Sequence, residues 1–225
     1  MVKLILFDID GTLIQTGGAG VKAFGEAFAM EFRIPGGTQH LSFAGRTDTG
    51  LVRELFAHHG IEPTPGNFER FFDCYVFWLD HLLEQLRGRT CPGAESFLEQ
   101  LATLPVPPRL GLLTGNIRLG AELKLRHFGL WEGFETGAFG DDHHNRNELA
   151  RIARDRGRRH LRQPLRDDEI LVIGDTPLDI ECGRAINAKV LAVATGGATR
   201  TELERHRPDW VVPDLTAIRA EEVCR

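Results

Sequence analysis

Apolar and polar positions along the chain follow two different periods. Near the N-terminus, Val2, Leu4, Ile5, Leu6 and Phe7 form a short apolar run closed by Asp8, Asp10 and Gly11, which predicts a buried strand ending in carboxylates. Similar runs predict strands at 109–113, 135–138, 170–173, 189–193 and 210–212, separated by stretches long enough for helices. Strands alternating with helices imply an α/β core with a parallel sheet. From 15 to 91 the period changes. Val21, Phe24, Ala27 and Phe28 recur at helical spacing, as do Leu51 and Leu55, and then Phe68, Phe71, Phe72, Tyr75, Val76, Leu79, Leu82, Leu83 and Leu86. This segment is too long for a connecting loop, so it reads as a small helical unit inserted in the core. The expected division is 1–14 with 92–225 for the core and 15–91 for the insertion. Gly17-Gly18 and 89–93 are the natural hinges, with Pro92 suited to a helix start. The phenylalanine-rich stripe reads as packing.

Composition fits this outline. A chain of 225 residues with 42% hydrophobic content can bury one α/β core and a smaller satellite. The net charge of −5 gives no general attraction to nucleic acid or lipid. The exception is Arg151, Arg154, Arg156, Arg158, Arg159, Arg162 and Arg166, interleaved with acids and read as a solvated helix and loop. Cys74, Cys91, Cys182 and Cys224 have no metal-ligand spacing, so free thiols and a cytoplasmic location are expected. The N-terminus turns acidic too soon for a signal peptide, and no apolar run is long enough to span a bilayer.

Candidate chemistry begins with Asp8 and Asp10. Residues i and i+2 of a strand point the same way, although the turn at Gly11 modifies that geometry. Close carboxylates call for a cation such as Mg²⁺ or a raised pKa on one of them. Taken alone, the pair reads better as a strand ending in a solvated turn. A second acidic strand end, Ile173-Gly174-Asp175, followed by Pro177 and Asp179, favours a shared hard-cation site. Between them, Thr114, Gly115 and Asn116 follow a predicted strand and precede a helical pattern through Leu119, Leu123, Leu125 and Phe128. A hydroxyl and free amides there make a cradle for phosphate, or simply a helix cap. In Gly45-Arg46-Thr47-Asp48, Arg46 is either a contact for a substrate anion or a solvated arginine, and Asp48 caps the next helix or holds Arg46. His143 and His144 beside Asp141 and Asp142 do not read as a metal site, because adjacent residues seldom aim both rings at one ion.

Asp8-Ile9-Asp10-Gly11-Thr12-Leu13, Leu112-Leu113-Thr114-Gly115-Asn116 and Ile173-Gly174-Asp175-Thr176-Pro177-Leu178-Asp179, in that order, resemble the haloacid dehalogenase superfamily, in its phosphoglycolate phosphatase-like branch. The resemblance implies a Rossmann-like three-layer αβα core with a parallel sheet and a mobile α-helical cap domain. It implies Asp8 as nucleophile, Asp10 as acid/base, and Thr114, Gly115 and Asn116 around the phosphoryl group. It also implies Mg²⁺ held by Asp8, the backbone carbonyl of Asp10 and Asp175, with Asp179 in support. The usual basic residue, a lysine before proline, is missing. Arg146 is the expected replacement and Lys124 the rival, since helix rise carries Lys124 away from the sheet edge.

The expected activity is Mg²⁺-dependent hydrolysis of a small phosphomonoester. Dehalogenases of the superfamily lack the second acid, so Asp10 argues against that chemistry. Phosphonatases use a cap lysine, and Lys22 is the only lysine from 15 to 91. A sugar-phosphate mutase and a non-catalytic phospholigand-binding protein are the alternatives. The expected partner is a small phosphorylated metabolite, without nucleic acid or membrane, for a monomer or homodimer.

Overall fold

A computed structural model describes all 225 residues. In chain order the elements are β1 (Leu4–Phe7), β2 (Ile14–Gln15), α1 (Ala19–Phe32), α2 (Asp48–His58), α3 (Pro65–Gln85), β3 (Arg89–Thr90), α4 (Ala94–Ala102), β4 (Arg109–Leu113) and α5 (Arg118–His127). There follow β5 (Thr136–Ala138), α6 (Arg146–Leu161), β6 (Ile170–Gly174), α7 (Pro177–Arg184), β7 (Lys189–Val193), α8 (Arg200–Arg205), β8 (Trp210–Val212) and α9 (Ala220–Val223). Six strands pair in parallel in the order β5-β4-β1-β6-β7-β8. Each predicted core strand is present, with β5 starting one residue later, at Thr136.

The alternation along β1 divides the core. Ile5 and Phe7 pack on one face with Phe97 and Leu101 of α4 and Ala121 and Leu125 of α5. Leu4 and Leu6 pack on the other with Leu149, Ala150 and Ala153 of α6 and Ile180 of α7. Both faces are covered, which is why the strands are apolar throughout. The register sets Phe7 opposite Leu112 on one side and Ile173 on the other, so β1, β4 and β6 end side by side. Asp8, Thr114 and Asp175 therefore leave the sheet at one edge. In open α/β sheets this carboxyl edge is where ligands bind.

Helices α1, α2 and α3 enclose a third cluster, including Phe24, Phe28, Leu55, Phe56, Phe71 and Tyr75. Edge-to-face aromatic contacts join Phe24 to Phe43, Phe71 and Tyr75, an arrangement favoured by the ring quadrupoles. The chain enters and leaves this part through a two-stranded antiparallel ribbon, Ile14 opposite Thr90 and Gln15 opposite Arg89. Val21, expected in the apolar stripe, is half exposed instead. Pro92 sits two residues before α4, with Gly93 at the cap position. The four cysteines are buried free thiols. No helix is long and apolar enough to cross a membrane.

Candidate active site

Just beyond β1 the chain turns sharply. Ile9 accepts hydrogen bonds from the amides of both Leu13 and Ile14, while Gly11 takes a left-handed φ of 87°. A side chain at Gly11 would also come within 2.5 Å of Asp175 Oδ2, so both conformation and space call for glycine. The turn separates the two N-terminal acids. Asp8 is buried and faces α6 and α7, whereas Asp10 is half-buried and faces α5.

Around Asp8 lies a buried carboxylate cluster. Oxygens of Asp8, Asp175 and Asp179 lie within 4.8 Å of one another. Arg146, at the start of α6, donates through Nη2 to Asp8 Oδ1 at 2.9 Å and also to Asp179 Oδ1. Asp179 Oδ2 accepts from the amide and hydroxyl of Thr176, closing the capping box of α7. Thr12 donates to Asp175 Oδ1 at 3.1 Å. Burial, opposed by Arg146, pushes the Asp8 carboxyl up to about 7. Burial and the charges of Asp179 and Asp8 hold Asp175 well above the usual carboxylate range. Burial also works against the charge on Arg146, but Asp179 and Asp8 outweigh it and raise its guanidinium further. The Nε of Arg146 is buried without a partner, leaving one donor over.

Asp10 has a separate cation. Lys124 Nζ donates to Asp10 Oδ2 at 2.7 Å and to Asn116 Oδ1 at 2.6 Å, and Asn116 Nδ2 bridges Asp10 Oδ2 and Thr114 Oγ1. Arg146 thus pairs with Asp8, as expected, but Lys124 is not carried away from the edge. It is 4% exposed and reaches the site. Side chains on a helix slope back toward its N-terminus, so a long lysine recovers the distance that the helical rise removes. Of the apolar pattern expected along α5 and its end, Leu125 is buried and Leu123 and Phe128 pack against the core, whereas Leu119 is half exposed; Gly120, Ala121 and Lys124 complete the inward face.

The cradle expected at 114–116 is narrower than its amides suggest. The Thr114 amide bonds to Ala138, that of Asn116 to Thr114 Oγ1, that of Ile117 to Asp48 Oδ2 and that of Arg118 to Asp141 Oδ1. Two of the protein's own carboxylates therefore occupy the anion position at the start of α5. The Gly115 amide and the Thr114 hydroxyl hydrogen remain for an incoming oxygen.

Asp48 does not cap α2 or hold Arg46. Thr47 caps the helix, accepting from the Gly50 amide, and Arg46 pairs with Glu54 at 2.5 Å. Asp48 instead latches α2 to the core: its amide donates to the Gly115 carbonyl at 2.7 Å and its Oδ2 accepts from Ile117 at 2.9 Å. Burial raises its carboxyl to about 6, opposed by Lys124. Thr47 Oγ1 donates to the His144 carbonyl and Thr49 Oγ1 to that of Gly140. Gly115 is required by this contact, because a Cβ there would collide with the Arg46 carbonyl. Asp142 pairs with Arg156, and Asp141 and Asp142 line a different cavity.

A cavity of about 500 Å³ opens between the sheet edge and the helical insertion. Asp8, Asp10, Thr114, Lys124, Arg146 and Asp175 line it, together with Arg46 of the insertion. The donor set suits a hard dication: clustered carboxylate oxygens, two of them raised in pKa by burial and mutual repulsion, with Asp175 Oδ2 free of hydrogen bonds. Asp179 is already committed to Arg146 and Thr176, so it fits a supporting place better than a direct ligand. Thr12 joins the site without a role expected from the sequence; Lys124, the rival cation for Asp8, pairs with Asp10 instead, and Asp48 serves the contact between α2 and α5. For Lys124 a lone cation on an otherwise buried helix face was the available signal.

The chain matches the family model described as haloacid dehalogenase-like hydrolase over residues 5–193. It is 27% identical over 207 residues to a phosphoglycolate phosphatase of Rhodobacter capsulatus, covering 91% of this chain and 89% of that protein. Among solved structures, a hydrolase from Pseudomonas syringae superposes with a TM-score of 0.71 at 24% identity, covering 96% of this chain and 94% of the other. CbbY from Rhodobacter sphaeroides, solved in complex with phosphate, gives a TM-score of 0.72 at 20% identity, covering 96% and 95%. The order of the three acidic and phosphate-type motifs, their meeting at one sheet edge and the match over most of the chain agree: this protein belongs to the haloacid dehalogenase-like hydrolase family.

Proposed function

We propose that this protein is a Mg²⁺-dependent phosphatase that hydrolyses a small phosphomonoester through an aspartyl-phosphate on Asp8. The observation that carries the reading is the pairing of two acids with two different cations at one pocket, Asp8 with Arg146 and Asp10 with Lys124. Arg146 holds Asp8 Oδ1, which orients Oδ2 as the attacking oxygen. A bond forms from that oxygen to phosphorus as the bond to the alkoxide leaving group breaks. Asp10, fixed by Asn116 and Lys124, gives the leaving oxygen its proton. Water then attacks phosphorus, surrenders a proton to Asp10, and releases phosphate and the Asp8 carboxylate. Thr114, the Gly115 amide and the Arg146 guanidinium at the pocket are the donors for the non-bridging oxygens. Asp8, the carbonyl of Asp10 and Asp175 would hold Mg²⁺, supported by Asp179; when bound, its charge offsets repulsion between nucleophile and phosphate.

Residues 15–91 would act as a cap, hinged at the ribbon and at Gly17-Gly18, that excludes water during phosphoryl transfer. The cavity volume suits a small metabolite, and the likeness to the Rhodobacter capsulatus enzyme supports a short phosphorylated acid. Arg46, also at the pocket, would exchange Glu54 for a second anionic group of the substrate. The test is phosphate release from a panel of phosphomonoesters, including p-nitrophenyl phosphate, with Mg²⁺. Wild type should turn over several members while Asp8→Asn turns over none. Equal rates for the two proteins would end the hydrolase reading, and isomerisation of a sugar phosphate without phosphate release would replace it with a mutase.

A further inference from the structure

At the end of α2 remote from the pocket, three imidazoles from two segments converge. His40 comes from the loop between α1 and α2, His58 closes α2, and His59 follows it. The rings of His40 and His58 stack with centroids 3.9 Å apart, and His59 lies 5.9 Å from the first and 4.8 Å from the second. One ring nitrogen of each lies within 4.8 Å of the others. We propose that His40, His58 and His59 form a site for a transition-metal dication of the Zn²⁺ class, which ties the 33–47 loop to the end of α2.

The chemistry of the donors separates this site from the carboxylate cluster. Imidazole nitrogen favours Zn²⁺, Ni²⁺ or Cu²⁺ over Mg²⁺. The third ring is already oriented: His59 Nε2 lies 2.9 Å from the Gly37 carbonyl, which can only accept, so Nε2 carries the proton and Nδ1 keeps its lone pair. A ring held through its other nitrogen by a carbonyl is the usual support of a metal-ligating histidine. The remaining gap is small. Tetrahedral ligands about 2.0–2.1 Å from zinc stand roughly 3.3 Å apart, and His40 and His58, both exposed, can close the difference by side-chain rotation. Adjacent His58 and His59 can share an ion because the helix ends between them, with His59 at φ −101° and ψ 9°. Glu54 stands one turn before His58 on α2, on the same helix face, and carries the ion pair to Arg46. A bound dication would therefore gain a nearby counter-charge.

The test uses the full-length protein, stripped of metal, held in excess Mg²⁺ and titrated with Co²⁺ by equilibrium dialysis and visible absorption. Wild type should bind one additional equivalent with the intense band of nitrogen-ligated tetrahedral cobalt. His40→Gln and His58→Gln should each weaken that binding by roughly tenfold or more, while Asp175→Asn retains it. Identical titrations for wild type and both histidine variants would overturn the proposal, as would loss of the band in Asp175→Asn. Circular dichroism checks the fold, and His40→Gln, on an exposed loop, decides the matter by itself if His58→Gln does not fold.

Discussion

A single guanidinium nitrogen, Nη2 of Arg146, donates to Asp8 and to Asp179, while Nη1 reaches the Gly45 carbonyl at 3.2 Å. The fork can serve both carboxylates and the insertion at once because its donors are planar and spread. Removing it leaves Asp8 and Asp179 buried without a cationic partner, and Asp179 with the Thr176 donors alone. Arg146→Ala should lose on the order of 3–5 kcal/mol of stability, read by urea unfolding, together with measurable turnover. Arg146→Lys keeps the charge but not the fork, so it should recover most of the stability and little of kcat. Wild-type kcat/KM in both variants would contradict the assigned geometry. At this scale the acids were legible, because Asp8, Asp10 and Asp175 close apolar strands and their positions follow from backbone direction alone. Lys124 was not. Helical rise places its Cα far from the sheet edge, and only a long side chain sloping back along α5 brings the ammonium to Asp10.

Among elements, the strands were easy to read because both sheet faces are covered and each strand is a short apolar run. The contact between α2 and α5 was hidden, since it joins residues 69 positions apart through a carboxylate and one backbone amide. Asp48 makes this latch sensitive to pH. Its carboxyl lies near 6 in the fold against an ordinary 3.8. Between those values the folded chain keeps a proton that the unfolded chain has released, so this contribution is present below 3.8 and lost as pH rises through 6. Asn at the same place can accept from Ile117 without ionising. On going from about pH 4 to about pH 8, Asp48→Asn should gain roughly 2 kcal/mol relative to wild type, measured by denaturant unfolding of both proteins. A difference between the two that does not change with pH would show that Asp48 is not buried as described.

For the whole molecule, the sheet brings together what the chain keeps far apart. Asp8 and Asp175 are joined by no local contact in sequence, yet the parallel pairing of β1 with β6 sets them side by side. The helical insertion supplies the other wall of the pocket, and its own aromatic core was visible as helical periodicity. Its docking and the meeting of His40 with His58 were not, because both depend on a loop without a period. The central claim is that Asp8 takes the phosphoryl group and Asp10 moves protons. Rapid mixing of Asp10→Asn with p-nitrophenyl phosphate and Mg²⁺ tests it most directly, because that leaving group departs without an acid while the second step still needs a base. The account predicts a burst of p-nitrophenolate stoichiometric with enzyme, followed by slow turnover, and no burst in Asp8→Asn. Linear release from Asp10→Asn, or a burst that survives Asp8→Asn, would contradict it.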